Sequence, residues 1–87
     1  MGSVLLLTRF RHPWNNGHYY AQGLREIGFS VEGFDPEAAT DPEGEFASLL
    51  CRTSPQVLLL TKGTAVPEHW VEMARDRSIL TVQWHPD

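Results

Sequence analysis

Two nearly continuous apolar runs dominate the pattern of the chain: residues 4–7 and 57–60 both read Val-Leu-Leu-Leu. Each run ends in a threonine followed by a basic residue, Thr8-Arg9 and Thr61-Lys62. A strand that is buried on both faces loses the alternation of polar and apolar positions that a half-exposed strand shows. Such strands are typical of parallel sheets covered by helices. The two runs therefore predict the central strands of a parallel sheet.

Two other segments, 29–34 and 78–84, mix or alternate apolar and polar positions and predict strands with one face toward water. The segments between the strands predict three helices, at about 17–27, 42–52 and 67–76. In the first helix, Tyr20, Leu24 and Ile27 share one face, which we expect to be buried. Gly28 is expected to end that helix and Asp41 to cap the second.

The strand order follows from burial. The two fully buried strands belong in the middle and the two half-polar strands outside, which gives the order 2-1-3-4. Right-handed crossovers then place the first helix on one face of the sheet and the other two helices on the opposite face. The predicted fold class is α/β, a three-layer Rossmann-like fold. We expect residues 1–87 to be one domain. Because one face carries a single helix, we expect that domain to be an incomplete doubly wound unit that forms the N-terminal part of a larger fold.

Composition narrows the functional classes. The 87 residues suffice for one domain, and the net charge of -4 argues against nucleic-acid binding, which needs a basic face. No apolar stretch is long enough to span a membrane and no signal peptide is recognisable. The lone Cys51, expected as a small core residue, fits a reducing compartment. We therefore expect a cytoplasmic protein.

The connection after the first strand carries the most candidate chemistry. In open parallel sheets, ligands bind beyond the carboxyl ends of the strands, near the point where strand order reverses. Arginine side chains and free N–H groups at a helix start suit a phosphate or carboxylate, and an aromatic face suits a sugar ring. The connection offers these groups at Arg9, Arg11, His12, Trp14, Asn16 and Gly17. In the alternative interpretation, Phe10 and Trp14 only cap the sheet and the arginines are solvated.

The third and fourth strands deliver further candidates to the same edge. Thr61, Lys62 and Gly63 follow the third strand: Gly63 permits a close ligand approach, and Lys62 either neutralises an anion or is solvated. His85 and Asp87 follow the fourth strand, where the imidazole suits a base or a hydrogen-bond donor. A metal site formed by His12, His85 and Asp87 is disfavoured, because the sequence lacks the close His/Cys spacing of specific metal sites. Neither glycine-rich phosphate-binding fingerprint is present.

Three segments form a recognisable pattern: a small-residue helix and acidic strand end (NGHYYAQGLREIGFSVEGFD), a strand ending in Lys-Gly (PQVLLLTKG) and a closing strand (TVQWHPD). In these segments the chain resembles the N-terminal domain of glycosyltransferases of the spore-maturation type. Gln56 stands where an aspartate is commoner in that family. The resemblance implies a GT-B enzyme whose N-terminal half lines the acceptor side of a cleft. In such enzymes, a C-terminal half binds the nucleotide-sugar donor.

The resemblance implies only a cleft-lining role for residues 9–17, 61–64 and 84–87. No catalytic residue follows from it, and neither a cofactor nor a metal is expected in this chain. We expect the chain to be inactive alone, with a donor-binding domain, or a second copy at the half-covered sheet face, as its partner. The alternative is a non-catalytic α/β module that binds a small anion or another protein.

Overall fold

A computed structural model describes residues 2–8, 17–61 and 66–84. They form four strands and three helices that alternate along the chain. The strands are β1 (Ser3–Leu7), β2 (Ser30–Phe34), β3 (Val57–Thr61) and β4 (Leu80–Trp84). The helices are α1 (Gly17–Glu26), α2 (Pro42–Thr53) and α3 (Glu68–Asp76). The predicted elements are all present, with ends that differ by one or two residues.

The sheet is entirely parallel and has the order β2-β1-β3-β4, which confirms the predicted α/β class and strand order. The central strands pair in the register Leu5 beside Leu58 and Leu7 beside Leu60. These side chains are almost completely buried, as are Val4 and Leu6. Burial on both faces is the reason that β1 reads as an unbroken apolar run. In β3, Leu58 and Leu60 are buried but Val57 and Leu59 are half-buried, so the expectation of full burial holds for that strand on one face only.

One face of the sheet carries the main core. Leu5, Leu7, Leu58 and Leu60 point to this face and pack against the buried stripes of α2 and α3. Those stripes consist of Phe46, Leu49 and Leu50 in α2 and of Trp70 and Ala74 in α3. The rings of Phe46 and Trp70 stack with centroids 4.3 Å apart. We call this surface of the sheet the covered face.

The opposite surface, here called the open face, carries only α1 in the described part of the chain. Ala21 of α1 is buried, and Tyr20 and Leu24 are half-buried. The expectation for Ile27 is wrong: the helix ends at Glu26, and Ile27 is 62% exposed. Among residues 2–8, 17–61 and 66–84, no element packs over Ile27 on this face. The expectation for Cys51 is also wrong, because it lies on the exposed side of α2 and accepts a hydrogen bond from Arg77 at 3.1 Å.

Local sequence signals mark the start of α2 and the end of α1 as the sequence predicts. The Asp41 side chain caps α2 by accepting from the backbone N–H of Gly44 at 3.2 Å, with Pro42 at the first helical position. Gly28 follows α1 with a φ of 104°, a conformation that glycine adopts without steric cost. Gly28 lies in the short connection that returns the chain from α1 to the amino edge of the sheet, where β2 begins.

Candidate functional site

All four strands run in the same direction, so their carboxyl ends lie at one edge of the sheet. Each helix follows a strand, so the N-termini of α1, α2 and α3 lie toward the same edge. The chain moves from β1 outward to β2 and later from β3 outward to β4 in the opposite direction. The strand order therefore reverses between β1 and β3, which is where ligands bind in open parallel sheets.

A buried hydrogen bond joins the ends of β1 and β3 at this reversal point. The Thr61 hydroxyl donates to the Thr8 hydroxyl at 2.8 Å, and both residues are buried. The backbone N–H of Thr8 donates to the carbonyl of Phe34 at 3.1 Å, which ties in β2 as well. The three strand ends are thus held in a fixed relation, with the hydroxyl groups satisfied inside the sheet.

The structure describes two of the residues predicted for the site. Gly17 is buried at the first position of α1, and Thr61 ends β3. The other predicted site residues lie outside the described residues: Arg9, Arg11, His12, Trp14, Asn16, Lys62, Gly63, His85 and Asp87. In sequence, Arg9 directly follows Thr8 and Lys62 directly follows Thr61, the two threonines that are hydrogen-bonded to each other.

A cavity of about 580 Å³ lies beside the carboxyl end of β2. The ionisable side chains that line it are His18 and Arg25 from α1, Glu32 from β2, Asp35 directly after β2, and Glu45 from α2. Three of these five are carboxylates, so the cavity offers mainly hydrogen-bond acceptors. This lining suits ligand groups that donate hydrogen bonds, such as hydroxyl or ammonium groups.

Two side chains of this cavity are held by backbone hydrogen bonds. The Arg25 guanidinium donates to the carbonyl of Val31 at 2.9 Å, which fixes α1 to β2. One carboxylate oxygen of Asp35 accepts from the backbone N–H of Glu37 at 3.0 Å in a local turn. Sequence reasoning left His18 and Asp35 out of the predicted site. Asp35 carried a usable signal, because an acid directly after a strand of a parallel sheet lies at the ligand-binding edge.

A close contact between a histidine and a glutamate side chain links the N-terminal turns of α2 and α3. Nε2 of His69 and Oε2 of Glu43 are 2.8 Å apart, and both side chains are 55% exposed. The His69 hydrogen bond lowers the pKa of Glu43 below its ordinary value of 4.5. The nearby Trp70 indole acts in the same direction, although its N–H meets no acceptor at hydrogen-bond geometry. The pair connects the two helices of the covered face and lies apart from the residues that line the cavity beside β2.

Comparison with known proteins leaves the fold and the edge geometry as the guides to function. No protein-family model matches the chain, and no curated protein matches it. Among residues 2–8, 17–61 and 66–84, no cluster of three or more His, Cys, Asp or Glu side chains could hold a metal ion. In the same part of the chain, no helix has both the length and the apolar character needed to cross a membrane.

Proposed function

We propose that this chain binds a sugar-like acceptor at the carboxyl edge of its sheet, as the acceptor-side half of a GT-B glycosyltransferase. The observation that carries the proposal is the reversal of strand order between β1 and β3, which forms a ligand-binding crevice in parallel sheets of this kind. The resemblance of the chain to glycosyltransferases of the spore-maturation type supplies the reaction class.

The cavity beside β2 supports a polyhydroxylated ligand. Asp35 and Glu45 accept hydrogen bonds, and sugar hydroxyls are good donors to carboxylates. The basic residues that follow β1 and β3 in sequence, Arg9 and Lys62, provide the opposite charge for an anionic part of the same acceptor. An acceptor that carries hydroxyl groups at one end and a phosphate or carboxylate at the other combines both features.

Transfer requires more than this half-site. The donor pyrophosphate must be held in line with the acceptor hydroxyl, and positioning of this kind supplies a large part of the rate enhancement. We therefore assign the nucleotide-sugar donor to a separate donor-binding half and expect no turnover by this chain alone. A cytoplasmic location completes the proposal, because a single cysteine cannot form an intramolecular disulfide.

Acceptor binding is tested by titrating the isotope-labelled chain with a panel of methyl glycosides, neutral and amino-substituted, while amide shifts are recorded. We expect the largest shifts at His18, Asp35 and Thr61. Asp35→Asn should weaken binding about tenfold while keeping the local turn, since asparagine also favours it. The matched control is Asp76→Asn, at the C-terminal end of α3 and therefore toward the edge of the sheet opposite the cavity. Equal binding by both variants would count against the site beside β2.

Turnover of a nucleotide sugar is measured with the chain alone and with a separately supplied donor-binding half. Activity that appears only in the mixture supports the assignment. Turnover by the lone chain would contradict it, because no donor-binding half would then be needed.

A second candidate function rests on a different observation. Large apolar side chains are exposed on the open face, and patches of this kind mark interaction surfaces. In this alternative, the chain is a non-catalytic α/β module that binds a protein partner, including a second copy of itself, or a small anion. A chain that binds a partner through the open face but shifts with no glycoside would favour this function over the first.

A further inference from the structure

The exposed large apolar residues that the structure describes all lie on the open face. They are Tyr19, Ile27, Leu80 and Val82, with exposures of 65%, 62%, 63% and 37%. Tyr19 and Ile27 belong to α1 and its end. Leu80 and Val82 stand beside Val57 and Leu59 in the parallel register, so they share the side of the sheet that α1 occupies.

A groove of about 300 Å³ runs along α1 on this face. One wall is the side of α1 that carries Tyr19, Gly23 and Ile27 at i, i+4 and i+8 spacing, and the floor includes Leu59 of β3. None of the lining residues is charged. Gly23 opens the wall further, since a Cβ built there would meet no atom within 4 Å. An occupant of this groove therefore needs an apolar contact surface that approaches α1 closely.

The width of the bare surface fits one helix. Four strands span about 19 Å, and a helix with its side chains is about 10 Å wide. The covered face accordingly holds two helices, α2 and α3, whereas the open face holds only α1 in the described residues. The area that the described residues leave uncovered therefore has room for one helix beside α1, over β3 and β4.

A second copy of this chain fits the groove poorly. The side of α1 away from its own sheet carries Gln22 and Glu26, joined by a hydrogen bond of 3.2 Å. In a face-to-face dimer, this polar side would be pressed against the apolar strands of the partner. Two copies would also bring together two chains of net charge -4. Charge complementarity instead favours a basic partner.

We propose that the open face binds an amphipathic helix of a different polypeptide, about three turns long, with a leucine-type apolar stripe and a basic outer side. The apolar stripe packs on Leu59, Leu80 and Val82, and its flank lies against Gly23. Basic residues at the rim face the exposed carboxylate of Glu26, which adjoins Ile27 in the chain. This inference rests on the second candidate function and names the chemistry of the partner.

The probe is a synthetic peptide of about fourteen residues made of leucine and lysine, with leucines at i, i+3, i+4 and i+7. One control has the same composition in scrambled order, and another replaces lysine by glutamate. The isotope-labelled full chain is titrated with each peptide. We expect the basic amphipathic peptide to shift the amides of Gly23, Leu59 and Val82 and to bind about tenfold more tightly than either control.

Gly23→Gln is the decisive variant, because it places a long side chain in the groove without removing any contact of the folded chain. It should weaken binding of the basic peptide by about tenfold or more. Ser48→Gln adds the same side chain at an exposed position of α2, on the covered face, and should leave binding unchanged. Equal effects of the two variants, or equal binding of the acidic peptide, would overturn the inference.

Sedimentation of the chain without peptide separates this inference from the broader function. A stable homodimer that is broken by Gly23→Gln would overturn the helix proposal while preserving partner binding through the open face. Failure of every peptide to bind a monomeric chain would overturn the helix proposal, while the broader function would then be judged by binding of other partners or of a small anion. Neither result bears on glycoside binding beside β2, which is read from Asp35→Asn.

Discussion

The two faces of the sheet are built from the same strands but differ in how completely the described helices cover them. On the covered face, Leu58 of β3 is fully buried beneath α2 and α3. On the open face, the next residue of the same strand, Leu59, is only half-buried and forms part of a groove. The contrast separates two roles. The covered face contains the buried core that stabilises the fold, and the open face retains exposed apolar surface for contact with another molecule.

The largest expected effect on the free energy of unfolding comes from one of two identical substitutions at adjacent positions. Leu58→Ala removes a fully buried side chain and leaves a cavity, so we expect a loss of about 2–5 kcal/mol in the free energy of unfolding. Leu59→Ala should cost about 1 kcal/mol, because its side chain is already in contact with solvent. Urea unfolding measures both. Equal losses would show that the open face is as fully packed as the covered face.

The buried runs are the part of this fold that sequence could predict. Residues 4–7 and 57–60 are apolar on both sides because both strands lie in the middle of the sheet; β1 is buried on both sides, whereas β3 is fully buried only on the covered face. The strand order then follows from burial, and the distribution of helices follows from the right-handedness of the crossovers. The capping role of Asp41 was also readable, since it depends only on neighbours within one helical turn.

Exposure on the open face could not be predicted from helix periodicity. Ile27 continues the apolar spacing of Tyr20 and Leu24, yet no element described in the structure covers it. Periodicity shows which residues share a side of a helix and not whether anything packs there. The predicted burial of Cys51 was wrong for the complementary reason. Its residue type favours burial, but its position in α2 faces away from Phe46 and Leu50.

The candidate site was only partly predictable. The edge of the sheet follows from the parallel order, and Thr61 could be placed there from the end of its apolar run. The cavity beside β2 could not, because it depends on α1, β2 and α2 converging from distant parts of the chain. His18 is an exposed residue of α1, and only the packing of α1 against β2 places it and Asp35 in the lining of the same cavity.

The hydrogen bond between Thr8 and Thr61 gives the next largest effect. Thr61→Val keeps the shape of the side chain but leaves the buried hydroxyl of Thr8 without its donor, at a cost of about 1–3 kcal/mol. The double variant with Thr8→Val should lose less than the sum of the two single losses, because both hydroxyls are removed together. Thr61→Ser is the control that retains the donor. Additive losses would show that the hydroxyls do not interact.

Two glycines extend the comparison to the helices. Gly23→Ala on α1 meets open space and should stabilise the chain by about 0.5–1 kcal/mol, because alanine favours the helix. Gly44→Ala on α2 would instead collide with Oδ2 of Asp41, the cap of that helix. Loss of the cap offsets the helical gain, so the net change should lie within about 0.5 kcal/mol of zero. Thermal unfolding of the two variants distinguishes them, and a larger gain at Gly44 would contradict this account.

The smallest effect concerns the hydrogen-bonded contact between Glu43 and His69, which joins the helices of the covered face at their exposed ends. The pKa of Glu43 is lowered in the folded chain, so its ionised form is favoured by folding. Its contribution to stability is therefore present above the ordinary pKa of 4.5 and is lost as the pH falls through the lower folded value. Because both side chains are 55% exposed, solvent and salt screen the pair and the contribution is small.

His69→Ala removes the main cause and should raise the pKa of Glu43 toward 4.5, as read from an NMR titration of its carboxyl carbon. His18→Ala, which changes the exposed histidine of α1 instead, should leave that pKa unchanged. An unaltered titration in His69→Ala would mean that the pair does not hold the two helices together in solution, where the packing of Phe46 on Trp70 would remain as a contact between α2 and α3.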